Sequence, residues 1–246
     1  MRHQPTPQEL SEALIGIVLK SPGLEGFLNE LTSLAAAALS RPGEEFHCAV
    51  TLIRSSGPRV LASSTELAQQ ADELQYAHGD GPCLRAAVDE VTTEVTDFRT
   101  DQRWPEYFEA AVKQGIRAVL AVPMSLPGQT KSGLNIYGTE PHVFSEPEAD
   151  AVKEFARQAT AAVQLAVRIA DMETTSEDLL AAMSSRTTID LAVGIIMGQS
   201  RCSQDEAFRI LRAASSHRNR KLRDIAAELV QSLNGAAPET HFELHD

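Results

Sequence analysis

Between Arg186 and Ala226 the chain reads RTTIDLAVGIIMGQSRCSQDEAFRILRAASSHRNRKLRDIA. Three helical runs lie in and just beyond this stretch. The first spans about Ser185 to Gly198 and sets Ile189, Ala192, Val193, Ile196 and Met197 on one face. Ser203-Gln204-Asp205-Glu206 is a capping box, in which the serine hydroxyl and the glutamate carboxylate each take a backbone N–H that the helix start would leave unpaired. It opens a second run expected to bury Ala207, Phe208, Leu211 and Ala214. The third, Lys221 to Leu233, turns Leu222, Ile225, Ala226, Leu229 and Val230 inward, and Gly235 ends it. A bundle of roughly fifty residues is marginal alone, so it needs an upstream helix or a partner to pack on.

Charge sets this segment apart. The 246 residues carry a formal charge of −12. From Arg186 to Gly235, however, there are 8 basic and 5 acidic residues, a balance of +3 against −15 for the remainder. Such asymmetry points to a nucleic-acid or membrane module joined to something else. Five of the eight bases fall between Arg212 and Arg223, and a solvated connection between helices is the bland alternative.

Working outward, the first 140 or so residues read as mixed helices and strands, which makes the fold class α+β. Helical patterns cover Leu10–Leu19 and Leu24–Leu39. His47–Arg54 and Arg59–Ser63 read as strands around the turn Ser55-Ser56-Gly57-Pro58. A loop-rich region follows, containing His78-Gly79-Asp80-Gly81-Pro82, then a short helix from Pro82 to Asp89. Thr92–Thr96, Ile116–Met124 and Leu134–Tyr137 complete the sheet, with a helix at Pro105–Gln114.

A long helical stretch enters at Ser145-Glu146-Pro147-Glu148 and runs to about Asp171. One heptad register puts Val152, Ala159 and Ala166 at a and Phe155, Ala162 and Ile169 at d. It breaks at Glu173 and Ser176 and resumes at Leu180 and Met183. The expectation is a parallel two-chain contact, the alternative being that this face packs on the sheet of its own domain.

The quoted stretch, with its I-x-x-A-x-G-I-I-M and S-x-x-E-A strings, resembles the ANTAR domain of transcription antitermination regulators. Gly79-Asp80-Gly81-Pro82-Cys83, with the closing Ser145-Glu146-Pro147-Glu148, is similar to GAF sensor domains. The layout expected is a GAF-like sensor domain over 8–168, a linking and dimerising helix over 147–184, an ANTAR domain over 185–235 and an unstructured acidic tail over 236–246. The resemblance implies binding of paired RNA hairpins with six-nucleotide loops in nascent leader transcripts. This keeps a terminator stem from forming, with one hairpin on each domain of a homodimer; the scattered cysteines separately point to a reducing cytoplasm.

The residues support RNA on their own terms. Unpaired loop bases are the usual specific target, because side chains cannot enter the deep A-form groove. Arg186, Arg212, Arg218, Arg220, Lys221 and Arg223 are the candidates for phosphates, and Ser215, His217 and Asn219 for base edges. There is no aromatic between Phe208 and Phe242, so stacking is left to arginine planes. Ala192 and Gly194 are read as packing positions.

In the sensor half, Cys83, Asp97 and Trp104 are candidate ligand contacts, with Asp101 beside them, and core packing is the alternative for the Trp. No cofactor is evident, although a small ligand of unknown kind fits a GAF domain. Cys83 at a helix start is a redox candidate, against a buried structural cysteine as the default. Three cysteines without a CxxC pair imply neither a disulfide framework nor zinc, and His78, Asp80 and Cys83 lack a fourth metal ligand. No run of about 18 uncharged apolar residues is present and the N-terminus lacks a signal-peptide pattern, so no membrane role is expected. The other readings are a DNA-binding helix-turn-helix regulator with a GAF sensor and a Cys83-based redox protein.

Overall fold

A computed structural model describes residues 6–53 and 60–234. The turn at Ser55–Pro58, the terminator Gly235 and the tail 236–246 lie outside the described residues. The chain divides into two compact units, Met1–Ala170 and Asp171–Asp246.

The first unit is a five-stranded antiparallel sheet in the order β2-β1-β5-β4-β3. Its strands are β1 (His47–Ile53), β2 (Val60–Ser63), β3 (Thr93–Val95), β4 (Ala118–Pro123) and β5 (Lys131–Gly138). Successive side chains alternate between the two faces. Cys48, Val50 and Leu52 of β1, Leu120 and Val122 of β4, and Leu134 and Ile136 of β5 form one layer with α1 (Pro7–Lys20), α2 (Gly23–Leu39) and the start of α6 (Glu146–Ser200). Ala49, Val119, Ala121 and Tyr137 form the other with α3 (Glu66–His78), α4 (Pro82–Asp89) and α5 (Pro105–Lys113).

Helix α3 replaces much of the expected loop. Its fully buried residues are Ala68, Ala71, Asp72 and Gln75, so polar Asp72 and Gln75 interrupt the inner face that Leu67, Ala71 and Leu74 mark at helical spacing. Its end explains the Gly79-to-Cys83 string. Gly79 closes α3 in the left-handed conformation (φ 73°), Pro82 opens α4, and Gly81 lies so close to Gln75 that a Cβ would meet its Oε1 at 2.3 Å.

Helix α6 corrects two expectations. The proposed a and d residues Val152, Phe155, Ala159, Ala162 and Ala166 are buried in the core of the first unit, so that part of the seam is spent internally. Nor is there a break between the linking helix and the first bundle helix, since α6 is one helix of 55 residues. Thr175 donates to the carbonyl of Asp171 (2.8 Å), Thr187 to that of Met183 (3.1 Å) and Thr188 to that of Ser184 (2.9 Å). Hydroxyls that elsewhere start a new helix here bond back into the existing one. By length and composition alone, α6 also holds an 18-residue window apolar enough to cross a membrane, with mean hydropathy 1.4 and 22% of it buried.

In the second unit, Ala192, Val193 and Ile196 of α6 pack with Ala207 and Leu211 of α7 (Gln204–Arg218) and Ile225, Ala226 and Val230 of α8 (Leu222–Asn234). The capping box forms with both reciprocal bonds present. Two residues depart from expectation. Phe208 is 40% exposed, because only Ala207, Leu211 and Ala214 of α7 face the core. Gly194 is exposed, and a Cβ there would meet nothing within 4 Å, so packing does not require it.

Candidate functional site

The basic cluster gathers at the turn between α7 and α8. Ser215, His217 and Arg218 lie in the last turn of α7, not in a loop, and the connection is Asn219, Arg220 and Lys221 alone. Cations suit that end, where unpaired carbonyls make the helix negative. Asn219 takes the left-handed conformation (φ 49°) that ends α7, and its N–H bonds back to Ser216 O at 3.3 Å. Asn tolerates this region better than other side chains with a Cβ. Arg220 N–H reaches Ser215 O at 3.1 Å, and the Ser215 hydroxyl donates to Arg220 O at 2.6 Å. The turn is thus fixed by its own backbone and by a residue read as a base contact.

Glu228 of α8 holds two of the guanidinium groups, Arg218 at 3.3 Å and Arg220 at 2.6 Å. Arg223 pairs with Asp224 at 3.5 Å, and Arg186 with Asp190 at 3.8 Å. All these groups are at least 44% exposed, where such pairs contribute under about 1 kcal/mol each and open easily. Arg212, His217 and Lys221 are exposed. Neither Arg212 nor Lys221 has an ion-pair partner among the described residues. The structure therefore brings Ser215, Arg218, Arg220 and Lys221 to one turn with Arg212 and Arg223 on its flanks. Arg186 sits apart in sequence on α6, with Asp190 as its partner.

The sensor-side candidates fall in three different surroundings. The Asp97 carboxylate accepts from Arg99 N (2.9 Å), Nε (2.9 Å) and Nη2 (2.8 Å), which holds it down to about 2. Asp101 is likewise tied to Arg103 (2.6 Å). Trp104 packs edge-on against Phe108 with centroids 5.9 Å apart, and Arg103 lies 5.1 Å over its ring.

Cys83 enters a buried polar cluster absent from the sequence reading. Its N–H donates to Gln75 Oε1 (2.8 Å), and its Sγ lies 3.1 Å from the Tyr137 hydroxyl. That hydroxyl also accepts from Gln75 Nε2 (2.9 Å) and donates to Asp72. The Asp72 carboxylate further accepts from Thr51 (3.2 Å) and Asn135 Nδ2 (3.1 Å). Burial pushes Asp72 up to about 6 despite these bonds, and pushes the Cys83 thiol well above its ordinary range with help from the Asp72 charge. Asp72 also borders a cavity of about 150 Å³ with Asn29, Ala49, Ala62, Ser63, Gln69 and Glu73. That is below the roughly 300 Å³ of an ordinary ligand pocket. Among the described residues no group of three or more His, Cys, Asp or Glu side chains is placed to hold a metal.

A family model for the GAF domain matches residues 24–164, and one for the ANTAR domain matches residues 177–230. The chain belongs to the GAF family and carries an ANTAR domain. No curated protein matches in sequence. Among solved structures, the N-acylhomoserine lactone-dependent LuxR-family transcription factor CepR2 from Burkholderia cenocepacia is similar at 13% identity and a TM-score of 0.50. The match covers 67% of this chain and 96% of CepR2. The GAF domain of a phosphoenolpyruvate-protein phosphotransferase from Acinetobacter is similar at 13% identity and a TM-score of 0.46. It covers 69% of this chain and 99% of that one. At such identities the likeness bears on the fold alone.

The GAF–ANTAR chain is thus a regulator with a sensor domain and a module associated with RNA binding. The nucleophilic species of cysteine is the thiolate, and the surroundings of Cys83 suppress it. Iodoacetamide at pH 8 is expected to label Cys202, which is partly exposed, and to leave Cys48 and Cys83 unmodified until denaturant is added. Peptide mass mapping reads the result. Rapid labelling of Cys83 in the folded protein would contradict it.

Proposed function

We propose that this protein is an RNA-binding transcription antitermination regulator. Its ANTAR domain binds tandem hairpins with six-nucleotide loops in nascent leader RNA and keeps the terminator stem from forming, under control of the GAF domain. The observation that carries the reading is the convergence of Arg212, Arg218, Arg220, Lys221 and Arg223 around one tight turn, in a chain that is acidic elsewhere. A convex cationic turn suits the curved phosphates of a loop. Both domains are of regulatory kinds, and the protein acts without catalysis, in the cytoplasm where transcripts emerge.

The test compares labelled RNA bearing two hexaloop hairpins with a single-hairpin RNA and a duplex DNA of equal length. Tight, competitor-resistant binding to the tandem hairpins supports the reading. Preference for the duplex favours the helix-turn-helix alternative, which the three-residue connection between α7 and α8 also fits. Failure of all three probes overturns the reading.

Tandem hairpins call for two ANTAR domains, and a homodimer through α6 supplies them. The seam from Val152 to Ala166 is already covered, but residues 171–180 are exposed on every side. The exposed residues Leu165, Ile169, Met172 and Leu179, with the half-buried Met183, form a second heptad register, distinct from the covered one in which Ile169 stood at d. Ile169, Ser176 and Met183 take a; Leu165, Met172 and Leu179 take d. Arg168 then falls at g and Glu173 at e. In a parallel pair, g faces e five residues on, so Arg168 meets Glu173 of the partner subunit. Arg168→Glu or Glu173→Arg alone is expected to weaken the dimer about tenfold, by losing two pairs and adding repulsion. The two together should restore it, as read by sedimentation equilibrium. A double variant no tighter than the single ones would argue against the parallel register.

A further inference from the structure

Helical periodicity puts Phe208 beside Ala207 in the bundle core, yet the fold leaves it out. One residue is 100° of helix, and that rotation carries Phe208 from the buried face of α7 to the surface. Its ring is 40% exposed, while Ala207 and Leu211 are buried. Positions 208, 212, 215 and 219 recur at i, i+4, i+7 and i+11, so they share one stripe of the helix surface. That stripe reads Phe208, Arg212, Ser215, Asn219 and ends on the turn holding Arg218, Arg220 and Lys221. Its length is about 16 Å at 1.5 Å per residue.

The chemistry of this stripe selects its occupant. A protein partner docking on Phe208 by hydrophobic contact would need apolar neighbours beside it. The neighbours along the stripe are instead a guanidinium, a hydroxyl and an amide. The other large exposed apolar residue of α7, Ile210, is displaced by 160° from Phe208 about the axis. An aromatic face followed one turn later by an exposed Arg matches the repeating unit of an unpaired nucleic-acid strand, a flat base joined to a phosphate. Stacking on an aromatic ring is also tolerant of sequence, because every base has a π-face.

We infer that Phe208 is the base-stacking platform of the RNA interface. One unpaired loop base lies on its ring, and the adjoining phosphate reaches Arg212. The inference rests on the RNA reading proposed above, and extends the contact surface from the α7–α8 turn back along α7 for nearly three turns. It also supplies the aromatic group that the sequence between Phe208 and Phe242 lacks.

The test uses the full chain, the labelled tandem-hairpin RNA and the variants Phe208→Ala, Phe208→Leu and Phe208→Tyr. Phe208 lies outside the buried cluster of the bundle, so helicity should survive all three, which circular dichroism checks. Phe208→Ala and Phe208→Leu are expected to weaken binding about tenfold, and Phe208→Tyr to bind like the parent. The slope of log affinity against log salt should stay unchanged in all three, since stacking releases no counterions. Arg212→Ala, by contrast, should flatten it by about 0.7. Parent-like binding by Phe208→Ala or Phe208→Leu overturns the platform while leaving the RNA reading intact. So does a change in the mass of the RNA-free protein on Phe208→Ala, which would assign the ring to a protein contact. A parent that binds no RNA overturns both.

Discussion

Replacing Arg212 and Lys221 together by Ala is expected to cost about 100-fold in affinity for the tandem-hairpin RNA. These are the two cations of the cluster that hold no ion pair among the described residues, so no described carboxylate competes for them. A hydrogen bond to a charged group contributes about 1.5–3 kcal/mol, and the loss of two, at the low end of that range, is about 3 kcal/mol or 100-fold. The log-affinity against log-salt slope should flatten by about 1.4, which is 0.7 for each phosphate that the protein then leaves to its counterions. Both side chains are exposed, so the helicity and mass of the protein should not move. Filter binding at several salt concentrations reads the affinity and the slope, circular dichroism the helicity and sedimentation the mass. Unchanged affinity and slope would place the RNA surface elsewhere.

The second large effect is on stability. Asp72 is buried with its carboxyl raised to about 6 from an ordinary 3.8. A raised carboxyl gives stability that is fully present below 3.8 and lost as pH climbs through about 6, because the unfolded chain ionises first. At 1.36 kcal/mol per unit, the loss is about 3 kcal/mol between pH 3 and pH 7. Asp97, held near 2 by Arg99, acts in the opposite sense at lower pH. The measurement is therefore a difference, urea unfolding of the parent minus that of Asp72→Asn at each pH. Asn keeps an acceptor for Tyr137, and its amide finds the Asn135 Oδ1, which has no hydrogen-bond partner among the described residues. The parent should lose about 3 kcal/mol relative to the variant over that range. Parallel curves would mean that Asp72 is ionised at no cost.

The same residue marks the limit of what the sequence disclosed. The five strands and both flanking helices of the first layer are visible as apolar patterns, because a sheet packed on both faces needs them. Helix α3 carries such a pattern in Leu67, Ala71 and Leu74, but Asp72 and Gln75 interrupt it, and these two enter a hydrogen-bonded cluster whose members are spread from Thr51 to Tyr137. Only the fold brings them together. The bundle helices were legible through the capping box at Ser203 and the spacing of Ala192, Leu211 and Ile225. Their periodicity still could not separate Ala207 from Phe208, because adjacent residues on the border of an apolar face look alike in sequence. The heptads of α6 were equally ambiguous. A 3–4 spacing says that a face is covered, and Val152 to Ala166 are covered by their own sheet. Of the candidate site, the basic cluster was readable by composition, but the carboxylate that answers it from Glu228 was not.

That carboxylate changes what the turn selects. Arg218 and Arg220 already hold an anion, so an incoming ligand must evict a resident charge before it gains one. A lone phosphate or a chloride ion trades like for like and ends close to where it began. A strand offering several phosphates in succession can seat one on Arg212 or Lys221, where no exchange is needed, and then outcompete Glu228 at close quarters. Because these exposed pairs open easily, the rival is a small handicap, and on the RNA reading it weighs more on a single small anion at Arg218 or Arg220 than on a polymer already seated beside them.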